Sequence, residues 1–254
     1  MKQENSVPFF TVAAGFSNYT REYPAYVEKF GKENVEWACY ADKYTTEEHI
    51  EEIKTHFPNG RPFILIGHSL GGSLIIEMLA REKMPSECKG IVLVGASRRL
   101  YPHPALNFAF RLPVPLIYAF SAFLMLIFPI FLVAYKFNLH KAFHASFEGF
   151  WRLVENGAKR MKKEFNYCLR DIGKNVSDIL EENKHIPVLF IRLKKDIMIR
   201  EEDVEETKSF FHKHKERIIP IDTIHLNHEF DSVVADIINE ELPFFGFESF
   251  QKGN

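Results

Sequence analysis

The stretch that decides the fold covers residues 62–72 and reads Pro62-Phe63-Ile64-Leu65-Ile66-Gly67-His68-Ser69-Leu70-Gly71-Gly72. It begins with a continuous apolar run, which is typical of a β-strand covered on both faces. The pattern Gly-x-Ser-x-Gly follows, and helical periodicity continues from Gly71 to Glu82. A serine between a buried strand and a helix stands at the tip of a sharp turn, and its flanking glycines leave room for neighbouring backbone. The stretch therefore predicts an exposed nucleophile at Ser69, with the N–H of Leu70 as the first oxyanion donor.

Strands and helices alternate on both sides of this turn. Strands are predicted at residues 7–12, 35–40, 62–66, 91–94, 187–193 and 218–222. Helices are predicted at residues 23–30, 45–57, 71–82, 201–214 and 231–240. Thr45 and Glu48 have the spacing of a capping box at the start of one helix. The alternation predicts an α/β fold with a mostly parallel, doubly wound sheet and helices on both faces.

Residues 98–174 interrupt the alternation, since they are rich in Phe, contain several prolines and show no convincing strand. We expect a helical lid here, inserted into a core formed by residues 1–97 and 175–254. The run from Leu112 to Tyr135 carries no charge and is long enough for a membrane span. Its prolines break it, however, and a span at this point would split the core. We expect instead a lid that lines an acyl pocket or dips into a bilayer surface. The candidate pocket residues are Leu112, Leu116, Phe120, Phe123 and Leu124.

A serine hydroxyl becomes a nucleophile when a histidine, oriented by a carboxylate, takes its proton. The turn at Ser69 resembles the nucleophile turn of α/β-hydrolases, and this resemblance implies that the acid and then the histidine follow the serine along the chain. Asp196 comes just after the strand at residues 187–193 and is the candidate acid. His225 and His228 lie between the last strand and the last helix. We favour His225 as the base, with His228 as the alternative, because His225 leaves a loop of ordinary length before the helix.

Composition limits the classes of ligand, the metal sites and the cellular locations that the chain can have. The chain has 254 residues, 25 of them Phe, and a net charge of −2, so no excess of basic residues is available for nucleic acid. The three cysteines form no disulfide or zinc pattern, and the polar N-terminus lacks the apolar run of a signal peptide. We expect a cytoplasmic protein, with membrane association through the lid. His140, His144 and Glu148 share one face of a helix, but three such residues usually form only its polar stripe, so no metal is expected.

With these residues in place, the chain resembles the α/β-hydrolase superfamily over nearly its whole length. Its first hundred residues are most similar to the thioesterase domains of that superfamily, through Thr46-Glu47-Glu48, Pro58-Asn59-Gly60-Arg61-Pro62-Phe63 and the Gly-His-Ser-x-Gly-Gly turn. The resemblance implies that the backbone N–H of Phe16, after Gly15, is the second oxyanion donor. The usual His-Gly of this turn is Ala14-Gly15 here, which changes a side chain but keeps the backbone donor.

The sequence thus predicts a serine hydrolase of the carboxylesterase, lipase or thioesterase kind, acting on a small-molecule or lipid-like substrate with an apolar acyl group. No cofactor is required for this chemistry. Two alternatives stay open, namely acyl transfer on the same scaffold and a non-catalytic protein that binds a lipid or a partner. Resolution of an acyl-enzyme by an alcohol or amine would favour acyl transfer. The presence of serine, acid and histidine candidates argues against a binding protein, which needs no exposed nucleophile.

Overall fold

A computed structural model describes residues 7–16, 22–102, 104–126, 150–151, 153–194, 196, 198–220 and 230–250, excepting the side chains of 105, 106 and 124–126. Its centre is a six-stranded sheet in which every strand pair is parallel. The strands, in chain order, are β1 (Phe9–Ala13), β2 (Val35–Trp37), β3 (Phe63–His68), β4 (Cys88–Val94), β5 (Val188–Leu193) and β6 (His214–Ile219). Their spatial order is β2-β1-β3-β4-β5-β6. The predicted α/β class and parallel sheet are confirmed.

Helices connect the strands. They are α1 (Pro24–Phe30), α2 (Thr46–Thr55), α3 (Leu70–Arg81), α4 (Pro104–Ala109), α5 (Val114–Leu126), α6 (Ala158–Glu164), α7 (Glu201–Ser209) and α8 (Asp231–Glu241). A π-helical turn, Phe165–Leu169, continues α6, and short 3₁₀ turns occupy Lys32–Asn34, Glu181–Asn183 and Leu242–Phe245. Helix α1 packs on α8, and α2 packs on α3. Because the β1-to-β2 and β2-to-β3 crossovers run in opposite directions across the sheet, right-handed connections place α1 and α2 on opposite faces.

The sheet core has the burial that its sequence predicts. All six residues of β3 and all five of β1 are buried, as expected for central strands covered on both faces. Helix α2 begins with the predicted capping box, in which Thr45 accepts the N–H of Glu48 and Glu48 accepts the N–H of Thr45. The cap satisfies donors that the helix itself leaves unpaired.

Two predicted boundaries near the C-terminus are wrong. The helix predicted over residues 201–214 ends at Ser209, and the strand predicted over 218–222 is β6, which runs from His214 to Ile219. Residues 214–217 are His-Lys-Glu-Arg and lack any apolar pattern. They still form a strand because they pair with β5, and their charged side chains are tolerated because β6 lies at the edge of the sheet.

Residues 98–174, called the insert below, lie between β4 and β5, which are neighbours in the sheet. The described part of the insert contains α4, α5, α6 and the π-helical turn, and no strand. In the part of the chain that the structure describes, no helix combines the length and the apolar character needed to cross a membrane.

Candidate active site

Ser69 lies between β3 and α3 with φ 49° and ψ −113°. Apart from Asp42, it is the only non-glycine residue among those described that has a positive φ. Such a conformation costs on the order of 1–3 kcal/mol and persists only where the surrounding structure holds it. Here the N–H of Ser69 donates to the carbonyl of Val94 at 2.9 Å, and its own carbonyl accepts from Gly72 at 3.1 Å. The side chain is partly exposed, as the sequence predicts for a nucleophile.

The glycines of the turn allow α3 to approach the sheet closely. A Cβ on Gly71 would lie 2.2 Å from the carbonyl oxygen of Ala13, and one on Gly67 would lie 2.4 Å from the Cα of Gly72. Both contacts are far below van der Waals separation and involve backbone, which cannot swing aside. Glycine at position 71 therefore brings the start of α3 against the end of β1.

This contact lies where the strand order reverses. β1 and β3 are neighbours, with Ala13 opposite Gly67, and the chain leaves β1 toward β2 but leaves β3 toward β4. In open α/β sheets, ligands bind outside the carboxyl ends of the strands at this switch point. Phe16, which follows β1, and Leu70, which follows Ser69, both lie at this edge. The N–H of Leu70 is in the first turn of α3, where no intrahelical acceptor exists and the helix dipole favours negative charge. The edge is thus suited to stabilise an oxyanion.

The insert reaches the same edge through aromatic rings. The Phe16 ring meets Phe110 edge-on with centroids 6.1 Å apart and Phe165 at 6.5 Å, and Phe110 and Phe165 lie 4.9 Å from each other. Each of these distances is typical of a favourable aromatic pair. No local sequence pattern predicts this cluster, and only the high Phe content and the position of Phe16 after Gly15 point to it.

Glu77 on α3 ties the other end of the insert to the nucleophile helix. Its carboxylate is buried, accepts the N–H of Gly173 at 3.1 Å and pairs with Arg81 at 2.5 Å. Gly173 has φ +68°, and a Cβ there would lie 1.8 Å from the carbonyl oxygen of Arg98. The two ends of the insert are therefore packed together beside α3.

His68, inside the Gly-x-Ser-x-Gly motif, points to the face of the sheet opposite α3. Its Nε2 lies 2.7 Å from the hydroxyl of Tyr26, and its ring lies 5.3 Å from the ring of Tyr23. Both tyrosines belong to the region of α1 and are fully buried. This histidine anchors α1 beneath the turn, a role that the sequence motif did not reveal.

Asp196 lies just past β5, as predicted. Its side chain is partly buried, and Oδ1 accepts the N–H of Met198 at 2.8 Å, which fixes one oxygen toward its own loop. Strands β3 and β5 are separated only by β4, so their carboxyl ends are about 10 Å apart at the usual strand spacing. Asp196 and Ser69 therefore share one edge of the sheet.

His225 and His228 fall outside the described residues. The structure gives the two ends of their connection, with β6 ending at Ile219 and α8 beginning at Asp231. The connection starts from the carboxyl edge that carries Ser69 and Asp196. The choice between the two histidines stays a prediction.

The predicted pocket residues differ in their placement. Leu112 and Phe120 are partly exposed, and the Phe120 ring meets Phe108 at 5.5 Å. Leu116 and Phe123 are 51% and 54% exposed, so they face outward. The side chain of Leu124 lies outside the described residues. The buried face of α5 instead carries Ile117 and Ser121, which the sequence analysis did not select.

His140, His144 and Glu148 also lie outside the described residues. Within the described ranges, no group of three His, Cys, Asp or Glu side chains is arranged to hold a metal ion. Two of the cysteines, Cys88 and Cys168, are buried, and burial raises the pKa of the Cys88 thiol to about 12. That thiol stays protonated and has no use as a metal ligand or nucleophile at neutral pH.

Comparisons with known proteins agree with this fold. A family model described as alpha/beta hydrolase fold matches residues 29–232. No curated protein sequence matches the chain. Similar solved structures include a hydrolase from Oleispira antarctica, with a TM-score of 0.66 and 11% identity, covering 95% of this chain and 92% of that one. A hydrolase from Pseudomonas aeruginosa has a TM-score of 0.60 and 15% identity, covering 92% and 89%. A lipase-esterase related protein from Clostridium acetobutylicum has a TM-score of 0.58 and 15% identity, covering 95% and 96%.

Proposed function

Because the chain belongs to the α/β-hydrolase family, whose fold points to a hydrolase enzyme, we propose that it is a serine hydrolase cleaving an ester or thioester with an apolar acyl group. The observation that carries the proposal is the conformation of Ser69. A serine held at φ 49° between a buried strand and a helix, at the switch point of the sheet, is a costly arrangement. An exposed nucleophile is the function that this arrangement supports best.

The proposed reaction has two halves. The Ser69 hydroxyl oxygen attacks the carbonyl carbon while His225, or His228 in its place, takes the hydroxyl proton. Asp196 orients that histidine and stabilises its positive charge. The tetrahedral oxyanion accepts hydrogen bonds from the N–H groups of Leu70 and Phe16. The histidine then gives the proton to the leaving alkoxide or thiolate, which departs and leaves an acyl-Ser69 ester.

Water resolves the acyl-enzyme in the second half. The histidine takes a proton from water, the hydroxide attacks the acyl carbon, and the acid leaves as Ser69 regains its proton. An oxyanion donor typically contributes about 2.7–4 kcal/mol to such steps, since the donor is already aimed where the charge develops. The close approach of α3 to β1 at Gly71 and Ala13 supports the proposed alignment of the N–H groups of Leu70 and Phe16.

The insert is proposed as a lid that lines the acyl pocket and makes peripheral membrane contact. Support comes from its two kinds of apolar side chain. Phe110 and Phe165 pack against Phe16 beside the site, where an acyl chain would lie. Leu116 and Phe123 lie on the outward face of α5 and are available to a bilayer surface.

A fluorophosphonate probe tests the nucleophile. The wild type should be labelled, and Ser69→Ala and Ser69→Gly should not, with ester turnover lower by at least about a thousandfold. Ser69→Gly should also be more stable than Ser69→Ala by about 1 kcal/mol, because glycine tolerates the positive φ. Equal labelling of wild type and both variants would rule out Ser69.

Adding an alcohol or amine acceptor during turnover shows whether the acyl group goes to water or to an acceptor.

Acyl-chain series and liposome flotation test the lid. Turnover efficiency should rise several-fold per methylene, about 0.8 kcal/mol each, until the pocket is full. Phe123→Asp should weaken liposome binding and leave turnover of a short soluble ester unchanged. The matched control is Val233→Asp, because Val233 is also exposed but lies on α8, outside the insert. A flat response to chain length would show that the insert does not select the substrate. Equal liposome binding by both variants and the wild type would show that the insert does not contact the membrane.

A further inference from the structure

A basic groove runs along the outer side of α6 and its π-helical turn. It is open to solvent, has a volume of about 590 Å³ and is lined chiefly by Lys159, Lys162, Lys163, Arg170 and Asp171. Four cationic side chains against one carboxylate leave three positive charges in excess. The chain as a whole has a net charge of −2, so this concentration of positive charge is local.

The helix register explains why the cations share one side. Lys159 and Lys163 are four residues apart and so lie on one helix face. The π-helical turn continues this face to Arg170. In this turn the N–H of Arg170 donates to the carbonyl of Phe165 at 2.9 Å, five residues earlier in the chain, whereas an α-helical bond spans four. On the other face, Met161 and Phe165 are buried against the core. The basic side of this helical segment therefore faces away from the candidate active site.

Lys162 and Lys163 have neutral partners among the described residues. Lys162 Nζ donates to the carbonyl of Leu112 at 2.6 Å, and Lys163 Nζ lies 4.7 Å from the ring of Tyr44. These neutral partners position the two ammonium groups without cancelling their charge. No carboxylate of the described residues lies within ion-pair distance of Lys159, Lys162 or Lys163.

Asp171 does not supply the missing negative charge to the lysines. Its carboxylate is engaged by Lys174 at 2.5 Å and by Arg170 at 3.4 Å. The hydrogen bond from Lys174 holds the pKa of Asp171 below its usual value, so this carboxylate keeps its charge and its partners at neutral pH. The three lysines remain for an external anion.

We propose that this groove binds a phosphate-bearing ligand. A phosphate monoester carries close to two negative charges and three acceptor oxygens, which suits an excess of three positive charges better than a single carboxylate does. Lysine ammonium groups bind phosphate as point charges with three donors each. A groove of this volume leaves room, beside a phosphate, for the rest of a larger molecule or for a lipid headgroup.

The groove is separate from the acyl site. Phe165, on the inner face of the same helical segment, contacts Phe16 at the candidate oxyanion turn. A helix with its side chains is about 10–12 Å across, and that thickness separates an anion in the groove from this turn. Phosphate binding in the groove therefore does not depend on Ser69 being the nucleophile.

The experiment measures binding of two phosphate probes by the full-length protein. Inorganic pyrophosphate is titrated calorimetrically, and vesicles of phosphatidylcholine with phosphatidic acid are compared with pure phosphatidylcholine vesicles by flotation. Lys159→Gln/Lys163→Gln should weaken binding of at least one probe by tenfold or more. The matched control is Lys83→Gln/Lys89→Gln, which removes the same charge from exposed lysines near the amino end of β4 and should bind as the wild type does.

The two probes distinguish the source of the phosphate. Groove-dependent binding of pyrophosphate assigns a soluble phosphate compound, and groove-dependent binding to phosphatidate vesicles alone assigns a lipid headgroup. Either result supports the proposal. Absence of binding by the wild type, or equal losses in the groove and control variants, would overturn it. Binding of a poly-aspartate peptide without either phosphate probe would also overturn it, in favour of an acidic protein surface. Unchanged thermal unfolding confirms that each variant is folded.

Discussion

The imidazole of His49 and the carboxylate of Glu164 lie 3.2 Å apart, and neither side chain is exposed to solvent. His49 belongs to α2 and Glu164 ends α6, so the pair joins the core to the insert. Nδ1 of His49 lies 2.6 Å from the carbonyl of Thr45 and must donate to it. Nε2 is the atom that faces Glu164, within hydrogen-bond distance of its carboxylate. The ring of Tyr40 covers His49 at 4.4 Å, and burial raises the pKa of Tyr40 well above its usual value, so its phenol stays neutral.

Removing either side chain of this pair should destabilise the protein far more than replacing the Glu164 carboxylate by an amide. Glu164→Ala or His49→Ala removes this buried polar contact between the core and the insert and should lower the free energy of unfolding by about 3–5 kcal/mol. Glu164→Gln keeps the shape and a hydrogen-bonding group and should cost less. Urea unfolding at neutral pH measures the difference. Glu240→Ala is the control, because its pair with Arg217 is exposed and should contribute less than about 1 kcal/mol. Equal effects of Glu164→Ala and Glu240→Ala would contradict the structural role of the buried pair.

Gly71→Ala should impair catalysis beyond its effect on stability. The new Cβ would lie 2.2 Å from the carbonyl oxygen of Ala13, so the turn after β1 must shift. A displacement of about 1 Å in a catalytic group can cost about a hundredfold in rate. Turnover per folded molecule is compared with that of Gly90→Ala, whose Cβ would meet the Phe245 ring at 2.1 Å, away from the site. Gly90→Ala should lose stability, about 1–3 kcal/mol, and keep its turnover. Parallel losses in both variants would show that position 71 serves only packing.

The triad assignment separates into two comparisons. His225→Ala should reduce ester turnover by at least about a thousandfold while His228→Ala keeps most of it, since only one imidazole can occupy the position between acid and serine. Steady-state kinetics with an aryl ester measures both. The reverse result would move the base to His228 and leave the fold and Ser69 unaffected. Asp196→Asn should also lose activity with unchanged unfolding, and full activity in this variant would exclude Asp196 as the orienting acid.

Glu216 should make stability depend on pH. Burial opposes its ionisation, but hydrogen bonds from Arg192 at 2.5 Å and Lys208 at 3.0 Å outweigh it and lower the pKa of Glu216. A carboxyl with a lowered folded-state pKa stabilises the protein above its unfolded pKa of about 4.3, and the contribution is lost as pH falls through the folded value. Stability should therefore fall less between neutral and acid pH in Glu216→Gln than in the wild type. Urea midpoints across that range measure this, and the exposed Glu28→Gln should behave as the wild type does.

Features encoded within one short stretch are the ones that the sequence predicts well. The capping box of Thr45 and Glu48 needs only four residues, and the run that forms β3 needs only its own side chains. The turn at Ser69 is equally local, because its strand, glycines and helix are contiguous. Strand β6 is less predictable, since its polar first half is strand only by pairing with β5.

Contacts between distant residues are not encoded in any local pattern. The ring of Phe16 meets Phe165, and the carboxylate of Glu77 meets Gly173, through tertiary packing alone. The direction in which the side chains of α5 point is likewise not predictable from its apolar sequence. Its composition indicates burial on every side, but packing places Ile117 inward and Phe123 outward. Placing an acid near a serine is easier, because parallel strands bring their carboxyl ends to one edge whatever the side chains do.

Strands β4 and β5 pair directly, although the whole insert separates Val94 from Val188 along the chain. Closing a flexible loop costs free energy that grows only with the logarithm of its length, so each doubling adds about 0.6 kcal/mol. The free energy of pairing β4 with β5 therefore depends only weakly on the length of the intervening chain. Evolution, or a protein engineer, can therefore change the length of this segment while the β4–β5 ladder stays in register, provided that buried contacts to the core, such as Glu164 with His49, are kept.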